Sequence, residues 1–148
     1  MKFTIQKLPL LTAASHVSNA VSSKTTIPIL TGIKIIANET GCSLMASDSD
    51  ISIQVNIPRE DNGNEQLTVT SGGSVVLPAR YFIDIVRKLP GEIVQIEVTQ
   101  QYTTTIQSEQ SRFQLNGMDP NEFPRLPQLH QEEIISLPAN LLKAMIRQ

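Results

Sequence analysis

The sequence is poor in the residues that mark several classes of protein. Its 148 residues include one cysteine and no tryptophan, and aromatic residues make up only 4%. The single Cys42 cannot form an internal disulfide, which suits a reducing compartment. No histidine lies near it in the sequence, so a small buried side chain is favoured over a nucleophile. These absences argue against a disulfide-stabilised secreted domain.

Neither sign of charge dominates, and long apolar runs are missing. Twelve basic and 14 acidic residues give a net charge of −2, which provides no bulk attraction to nucleic acid or to anionic membranes. No apolar stretch is longer than a strand, and the N-terminus lacks the apolar core of a signal peptide. We therefore expect a soluble, cytoplasmic protein that can bury one core and has no membrane partner.

The basic residues are unevenly placed along the sequence. The first acidic residue is Glu39, and all 14 acidic side chains lie at or after that position. The segment before it carries four lysines with no opposing charge, namely Lys2, Lys7, Lys24 and Lys34. This distribution indicates a basic surface contributed by the N-terminal segment.

A strand that runs directly into a helix occurs more than once. The clearest copy spans 75–90, its Leu77-Pro78-Ala79 recurs as Leu137-Pro138-Ala139, and a weaker copy opens the chain. Apolar spacing predicts helices at about 9–21 and 78–89. Alternation predicts strands at 29–37, 43–46, 51–57, 66–70, 93–99, 103–107 and 112–116. The fold class is therefore α+β, with a duplicated unit of strand, helix and three strands.

The two helices are amphipathic, and a loop between them indicates a hairpin. The polar face of the first helix carries Thr12, Ser15, His16 and Asn19. The apolar face of the second is predicted to carry Tyr81, Phe82, Ile85, Val86 and Leu89, opposite Arg80, Asp84 and Arg87. If the halves pack side by side, both helices lie on one surface of the sheets. The loop at 61–64 should close a hairpin onto 66–70.

Three prolines between 120 and 127 predict a stiff linker at about 117–127. We expect one domain at 1–127 and the beginning of a second at 128–148, where a further strand-helix unit starts at Ile134. A lone strand and helix cannot bury their apolar faces, so we expect the chain to be cut from a longer protein.

No catalytic site, metal site or cofactor site is predicted. Asp48-Ser49-Asp50 is the one acidic constellation, and a turn between strands explains it better than a metal or acid-base pair. Neither His16 nor His130 accompanies a serine or cysteine in a nucleophile setting. A small metal-dependent enzyme using Asp48 and Asp50 remains one alternative. It requires a third ligand in the folded protein.

Four motifs occur in order along the chain at natural spacing. They are SSKTTIPIL at 22–30, ASDSDI at 46–51, LPARYF at 77–82 and SRFQL at 111–115. Together they resemble the bacterial sliding clamp family, the beta subunit of DNA polymerase III, particularly its low-GC Gram-positive members.

The resemblance implies a clamp fold in which two helices pack on antiparallel sheets. It also implies a ring of two subunits with three similar domains each, helices lining the central hole and sheets forming the outer wall. Such a ring is a non-catalytic processivity factor that encircles duplex DNA without reading its sequence and tethers the polymerase. Its partners would be DNA, a second clamp subunit, and the polymerase and clamp loader, which would bind domains absent from this chain.

The resemblance also assigns residues. Lys24 and Arg80 match basic DNA-facing positions, although many members carry arginine in place of Lys24, and lysine lacks the bidentate fork. The positions that match the subunit interface are Phe113, Leu115, Tyr81 and Arg112. For Phe113 and Leu115, an ordinary core position remains open. A protein-interaction module that never touches DNA is the other alternative function.

Overall fold

The computed structural model describes residues 1–126 and 135–147. The first half of the fold contains β1 (Lys2–Gln6), α1 (Lys7–Val17), β2 (Gly32–Asn38), β3 (Gly41–Ser47), β4 (Ser52–Pro58), β5 (Glu60–Asp61), β6 (Asn64–Glu65) and β7 (Leu67–Ser71). The second half contains β8 (Gly73–Pro78), α2 (Ala79–Lys88), β9 (Ile93–Val98), β10 (Thr103–Ser108) and β11 (Ser111–Asn116). Short 3-10 helices span Ser18–Ala20, Pro28–Thr31 and Pro120–Glu122, and α3 spans Ala139–Ile146. The duplicated order of strand, helix and three strands is confirmed.

The two halves exchange their first strands. One antiparallel sheet has the order β11-β10-β9-β1-β7, and the other has the order β4-β3-β2-β8. Strand β1 therefore pairs with β9 of the second half, and β8 pairs with β2 of the first half. Each three-stranded meander is thus extended by a strand from the other half, so neither half completes its sheet alone.

The prediction that the loop at 61–64 closes a hairpin onto 66–70 is wrong, because the strand there pairs with a different partner. The turn at Asn62-Gly63 closes only the short β5-β6 hairpin, whereas β7 pairs with β1. Both strands of the short hairpin are exposed and have no apolar alternation, so nothing anchors them to a sheet. In contrast, Leu67 alternates with polar neighbours and is buried in the main core. The apolar pattern, rather than the turn, selects the pairing of β7.

One core lies between the helices and the inner faces of both sheets. Helix α1 buries Leu10, Ala13, Ala14 and Val17, and α2 buries Ala79, Phe82, Ile83 and Val86. The sheets contribute buried residues that include Phe3, Ile5, Ile33, Ile35, Val94 and Ile96. Tyr81, predicted on the apolar face of α2, is instead 63% exposed. The helical period places Ile83 with Ala79, Phe82 and Val86, and Tyr81 falls outside that stripe.

A second, smaller cluster covers the outer face of the four-stranded sheet. It consists of the buried residues Ile29, Leu30, Val76 and Phe123, with Met45 and Met118 packed against them. Main-chain hydrogen bonds of 2.8 and 3.2 Å join Met118 to Val76. Residues 117–123, predicted to belong to a linker, therefore pack on the domain. The prolines misled the prediction because Pro120 begins a 3-10 helix that leads the aromatic ring of Phe123 into this cluster.

The last helix is exposed along its length. None of the residues of α3 is buried, and its apolar side chains Leu141, Leu142, Met145 and Ile146 face solvent. The strand predicted from Ile134 begins outside the described residues, and positions 135–138 have no regular secondary structure. Within the described ranges, no helix has the length and apolar character needed to cross a membrane.

Candidate nucleic-acid interface

The two long helices of the domain contact each other, and the start of α1 is tied to the end of α2. The Lys7 ammonium, at the start of α1, donates hydrogen bonds to the carbonyl oxygens of Arg87 at 3.2 Å and Leu89 at 2.5 Å. These carbonyls lie at the end of α2, where the helix dipole favours a positive charge. The start of α1 therefore meets the end of α2. The chain leaves α1 at Val17, and α2 begins at Ala79.

From Thr12 onward, the exposed side chains of α1 and its 3-10 extension are polar, whereas Leu8 in the first turn is an exposed apolar residue. Thr12, His16 and Asn19 are exposed, and Ser15 is half-buried. The Asn19 side chain donates to the carbonyl of His16 at 3.1 Å, and the Ser18 hydroxyl donates to that of Ser15 at 2.7 Å. These contacts satisfy carbonyls in the last turn of the helix. The surface carries no acidic group that would repel a phosphate backbone.

Arg80 occupies the first turn of α2 and is exposed. Within residues 1–126 and 135–147, no carboxylate lies within salt-bridge distance of it. A cation at a helix N-terminus is disfavoured by the helix dipole, typically by about 0.3–1 kcal/mol. No ion pair among the described residues compensates for this placement. An anion such as a phosphate would.

Lys24 lies in the connection that leaves α1, between the 3-10 helices at Ser18–Ala20 and Pro28–Thr31. It is exposed and, like Arg80, has no ion-pair partner in the described part of the chain.

The basic surface predicted from the linear charge distribution does not form as expected. Lys2 forms an ion pair with Glu97 at 3.7 Å, and Lys34 stands over the ring of Phe123, 5.8 Å from its centroid. Lys7 binds the carbonyls at the end of α2. Three of the four lysines are thus engaged by residues distant in sequence, and Lys24 alone has no such contact among the residues described. The opposing partners all follow residue 86, so sequence proximity could not reveal them.

Arg87, the third basic residue considered on the helix faces, is also engaged. Its guanidinium lies 3.4 Å from a carboxylate oxygen of Asp84, one turn earlier on α2. Both groups are largely exposed, so this pair adds little to stability. It does reduce the local positive charge, which leaves Arg80 as the less neutralised cation of the two.

The predicted subunit-interface residues lie on an edge strand and on α2. β11 is the outermost strand of the five-stranded sheet, and its main chain pairs only with β10 among the strands described. Phe113 is 41% exposed and Arg112 is exposed, whereas Leu115 is half-buried and packs on the core. An ordinary core position therefore does not describe Phe113. Tyr81 is the most exposed aromatic of this set.

Asp48-Ser49-Asp50 forms a turn, as the sequence predicted. The Asp48 carboxylate accepts hydrogen bonds from the main-chain N–H groups of Asp50 at 2.9 Å and Ile51 at 2.7 Å. These bonds, that from Ile51 first, lower the pKa of the Asp48 carboxyl below its ordinary value of 3.8. No group of three potential metal ligands occurs within the described ranges, so the third ligand required by the metal-enzyme alternative is not found there.

The three remaining candidate nucleophiles or bases give no catalytic arrangement among the described residues. Cys42 is buried on β3, and burial raises the pKa of its thiol to about 12, so it stays protonated at neutral pH. His16 stands on the polar face of α1, and His130 lies outside the described residues.

Sequence reasoning missed one polar array and the role of one lysine. Side chains of Ser43, Gln54 and Asn56 form a hydrogen-bonded ladder across β3 and the edge strand β4. Alternation of polar residues along β4 is the signal that could have found it. The role of Lys7 had no local signal, because its acceptors lie some eighty residues further along the chain.

The fold is that of the DNA clamps. The structure superposes on the crystal structure of the Bacillus subtilis DNA polymerase sliding clamp with a TM-score of 0.96 at 53% identity, covering 100% of this chain and 39% of that chain. The beta subunit of a Streptococcus pyogenes DNA polymerase gives a TM-score of 0.89 at 34% identity, covering 99% of this chain and 38% of that one.

Sequence comparison identifies the family more closely. A model of the family "DNA polymerase III beta subunit, N-terminal domain" matches residues 1–127, and the chain belongs to this family. The curated Beta sliding clamp of Bacillus subtilis is 53% identical over 148 residues, and that of Halalkalibacterium halodurans is 49% identical. The chain spans about 39% of the length of these relatives. The resemblance expected from the four motifs is confirmed.

Proposed function

We propose that this chain supplies the first domain, at about 1–127, and the beginning of a second domain of a sliding clamp that encircles duplex DNA and tethers the replicative polymerase. The observation that carries the proposal is the exposure of Lys24 and Arg80, two cations without acidic partners in the described part of the chain. From Thr12 onward, the exposed side chains of α1 are polar and include no acidic residue.

The proposed mechanism is topological and requires only weak, sequence-independent attraction. Duplex DNA carries one negative charge per roughly 1.7 Å of axis, so exposed cations attract it whatever its sequence. Contacts to phosphates position a protein without reading bases. Many strong contacts would oppose sliding. A small number of exposed cations on a polar helix surface is therefore suited to this function, and the balanced net charge of the chain is compatible with it.

The proposed partners are a second clamp subunit, the polymerase and the clamp loader. The exposed edge of β11, with Arg112, Phe113 and Leu115, would pair with a second clamp subunit, with Tyr81 close to that contact. Edge strands with exposed apolar side chains favour pairing with another chain. Polymerase and clamp loader would bind outside the residues of this chain, and the working compartment would be the cytoplasm. The clamp itself would perform no chemistry.

Charge reversal in a ring of complete length tests the proposal. Residues 1–148 replace the matching segment of the Bacillus subtilis clamp, and the chimera carries Lys24→Glu and Arg80→Glu together. Retention on closed circular DNA is measured after loading, over a series of salt concentrations. We expect retention to fall and the salt slope of DNA affinity to decrease by up to about 4 for a ring of two subunits, since each of the four lost phosphate contacts contributes roughly 0.9.

A matched control removes the same amount of positive charge elsewhere. The control chimera carries Lys2→Glu and Arg59→Glu. Each of these residues belongs to an exposed ion pair and lies outside both helices. This control should load and slide like the unmodified chimera. If the Lys24 and Arg80 double variant behaves like this control, the proposed DNA-facing surface is wrong, and an interaction module that does not contact DNA becomes the better explanation.

A further inference from the structure

The chain contains two Asn-Gly dipeptides in contrasting environments. They are Asn62-Gly63 and Asn116-Gly117. The main-chain nitrogen after an asparagine can attack the side-chain amide carbon of that asparagine. A following glycine hinders this attack least because it has no Cβ. Because the two sites share the dipeptide but not its neighbours, a difference in reactivity that is lost on unfolding reports their structure.

Asn62-Gly63 is open to solvent and weakly held. The two residues form the turn of the β5-β6 hairpin with φ of 51° and 78°, as expected for a two-residue turn with both central residues left-handed. Both are exposed, and a Cβ built on Gly63 would meet nothing within 4 Å. The hairpin has two residue pairs and one exposed ion pair, Arg59 to Glu65 at 4.0 Å, and at its base the N–H of Gln66 donates to the carbonyl of Arg59 at 2.8 Å. Its local opening should therefore cost little free energy.

Asn116-Gly117 is held in the body of the domain. Asn116 ends β11 and pairs with Thr103, and the Gly117 N–H donates to the carbonyl of Tyr102 at 2.9 Å. A Cβ on Gly117 would lie 2.6 Å from that carbonyl oxygen and 2.6 Å from a methyl group of Val75. The attacking nitrogen is thus engaged in a hydrogen bond, and its main chain is closely packed on both sides. Attack here would require β11 to detach from the sheet.

We propose that Asn62 is a site of spontaneous deamidation in the folded protein and that Asn116 is protected. The Gly63 nitrogen bonds to Cγ of Asn62 and loses its proton, while the Cγ–Nδ2 bond breaks and the amide nitrogen leaves as ammonia. Water then opens the cyclic imide at either carbonyl, giving aspartate or isoaspartate. No electron transfer occurs.

The modification changes both the charge and the geometry of the hairpin. A new carboxylate joins Glu60, Asp61 and Glu65, which are already exposed there. Isoaspartate also inserts one more carbon into the main chain, which a two-residue turn cannot accommodate without losing its register. The modified form would therefore accumulate as a clamp molecule ages, at a position other than the proposed DNA-facing residues Lys24 and Arg80.

The wild-type chain provides its own test. It is incubated at mildly alkaline pH, once folded and once in denaturant, and peptides covering both sites are resolved by mass spectrometry. An Asn62→Asp variant supplies the standard for the aspartate product. We expect conversion at Asn62 to exceed that at Asn116 by at least about tenfold in the folded chain, and the two rates to converge in denaturant, because only the folded state distinguishes their opening.

Three results would overturn the inference. The first is equal or faster conversion at Asn116 in the folded chain. The second is a preference for Asn62 that persists unchanged in denaturant, which would assign the effect to neighbouring sequence. The third is an Asn62 that stays intact in the folded chain while both sites convert in denaturant.

Discussion

Replacing Lys7 with methionine should destabilise the domain more than the loss of a surface charge would. Methionine keeps an unbranched apolar stem of similar length but cannot donate a hydrogen bond. The substitution removes the ammonium from the carbonyls of Arg87 and Leu89, of which the contact to Leu89 is partly buried. The carbonyl of Leu89 would then lack its charged donor at the end of α2.

The expected magnitude follows from the exposure of the two contacts. Hydrogen bonds involving a charged group contribute about 1.5–3 kcal/mol each when well shielded. The contact to Arg87 is exposed and should contribute much less than this. We therefore expect a loss of about 1–3 kcal/mol in the free energy of unfolding, dominated by the Leu89 contact. For a chain of this size, that corresponds to a decrease of roughly 3–9 °C in Tm.

A second lysine at the other end of β1 provides the control. Lys2 forms an exposed ion pair with Glu97 at 3.7 Å, so Lys2→Met should cost no more than about 1 kcal/mol. Urea and thermal unfolding, followed by circular dichroism, measure both variants. In the chimeric ring, Lys7→Met should also leave retention on DNA unchanged. A loss of stability no greater than that of Lys2→Met, or a retention defect like that of the Lys24 and Arg80 variant, would refute the structural role assigned to Lys7.

Two further predictions concern the outer cluster and the acidic turn. Phe123→Ala should lower the free energy of unfolding by about 3–5 kcal/mol because the ring is 3% exposed. Phe113→Ala should lower the free energy of unfolding much less in the same urea titration, because Phe113 is 41% exposed. Equal losses for the two variants would contradict the packing of 117–123 on the domain. In an NMR titration, the Asp48 carboxyl should titrate below 3.8, so its contribution to stability is present above that pH and is lost as the pH falls through the lowered pKa. Asp48→Asn should remove this pH dependence, and titration at or above 3.8 would contradict the assigned hydrogen bonds.

Local patterns predicted the elements well, because each helix and strand has its own apolar period. The strands at 93–98 and 103–108 and helix α2 lie within one or two residues of their predicted positions. The exchange of first strands between the halves was beyond such reasoning. The pairing of β1 with β9 depends on tertiary packing between residues distant in the sequence. Because the unit is repeated, each first strand has a similar possible partner in its own half and in the other half. The Pro-rich segment failed for a related reason, since the cluster that receives Phe123 is assembled from distant residues.

For the candidate site, the residue types were more informative than their clustering in sequence. Lys24 and Arg80 are exposed, as a DNA-facing role requires, but their assignment came from motif resemblance and remains a prediction. The unopposed charge of the first 38 residues was misleading, because acidic, aromatic and carbonyl partners reach Lys2, Lys34 and Lys7 only after folding. Charge counted along a chain ignores these tertiary partners.

The exchange of first strands also determines when β1 can pair while the chain is being synthesised. β1 emerges early, yet its neighbours β7 and β9 lie at 67–71 and 93–98. At a ribosomal rate of 5–20 residues per second, β1 would wait on the order of 5–20 s for its last neighbour. During that interval, Phe3 and Ile5 have no completed sheet in which to be buried. β1 is therefore made before both of its neighbours and is covered on both edges only after β9 has appeared. The nascent chain should depend most on chaperones before that point.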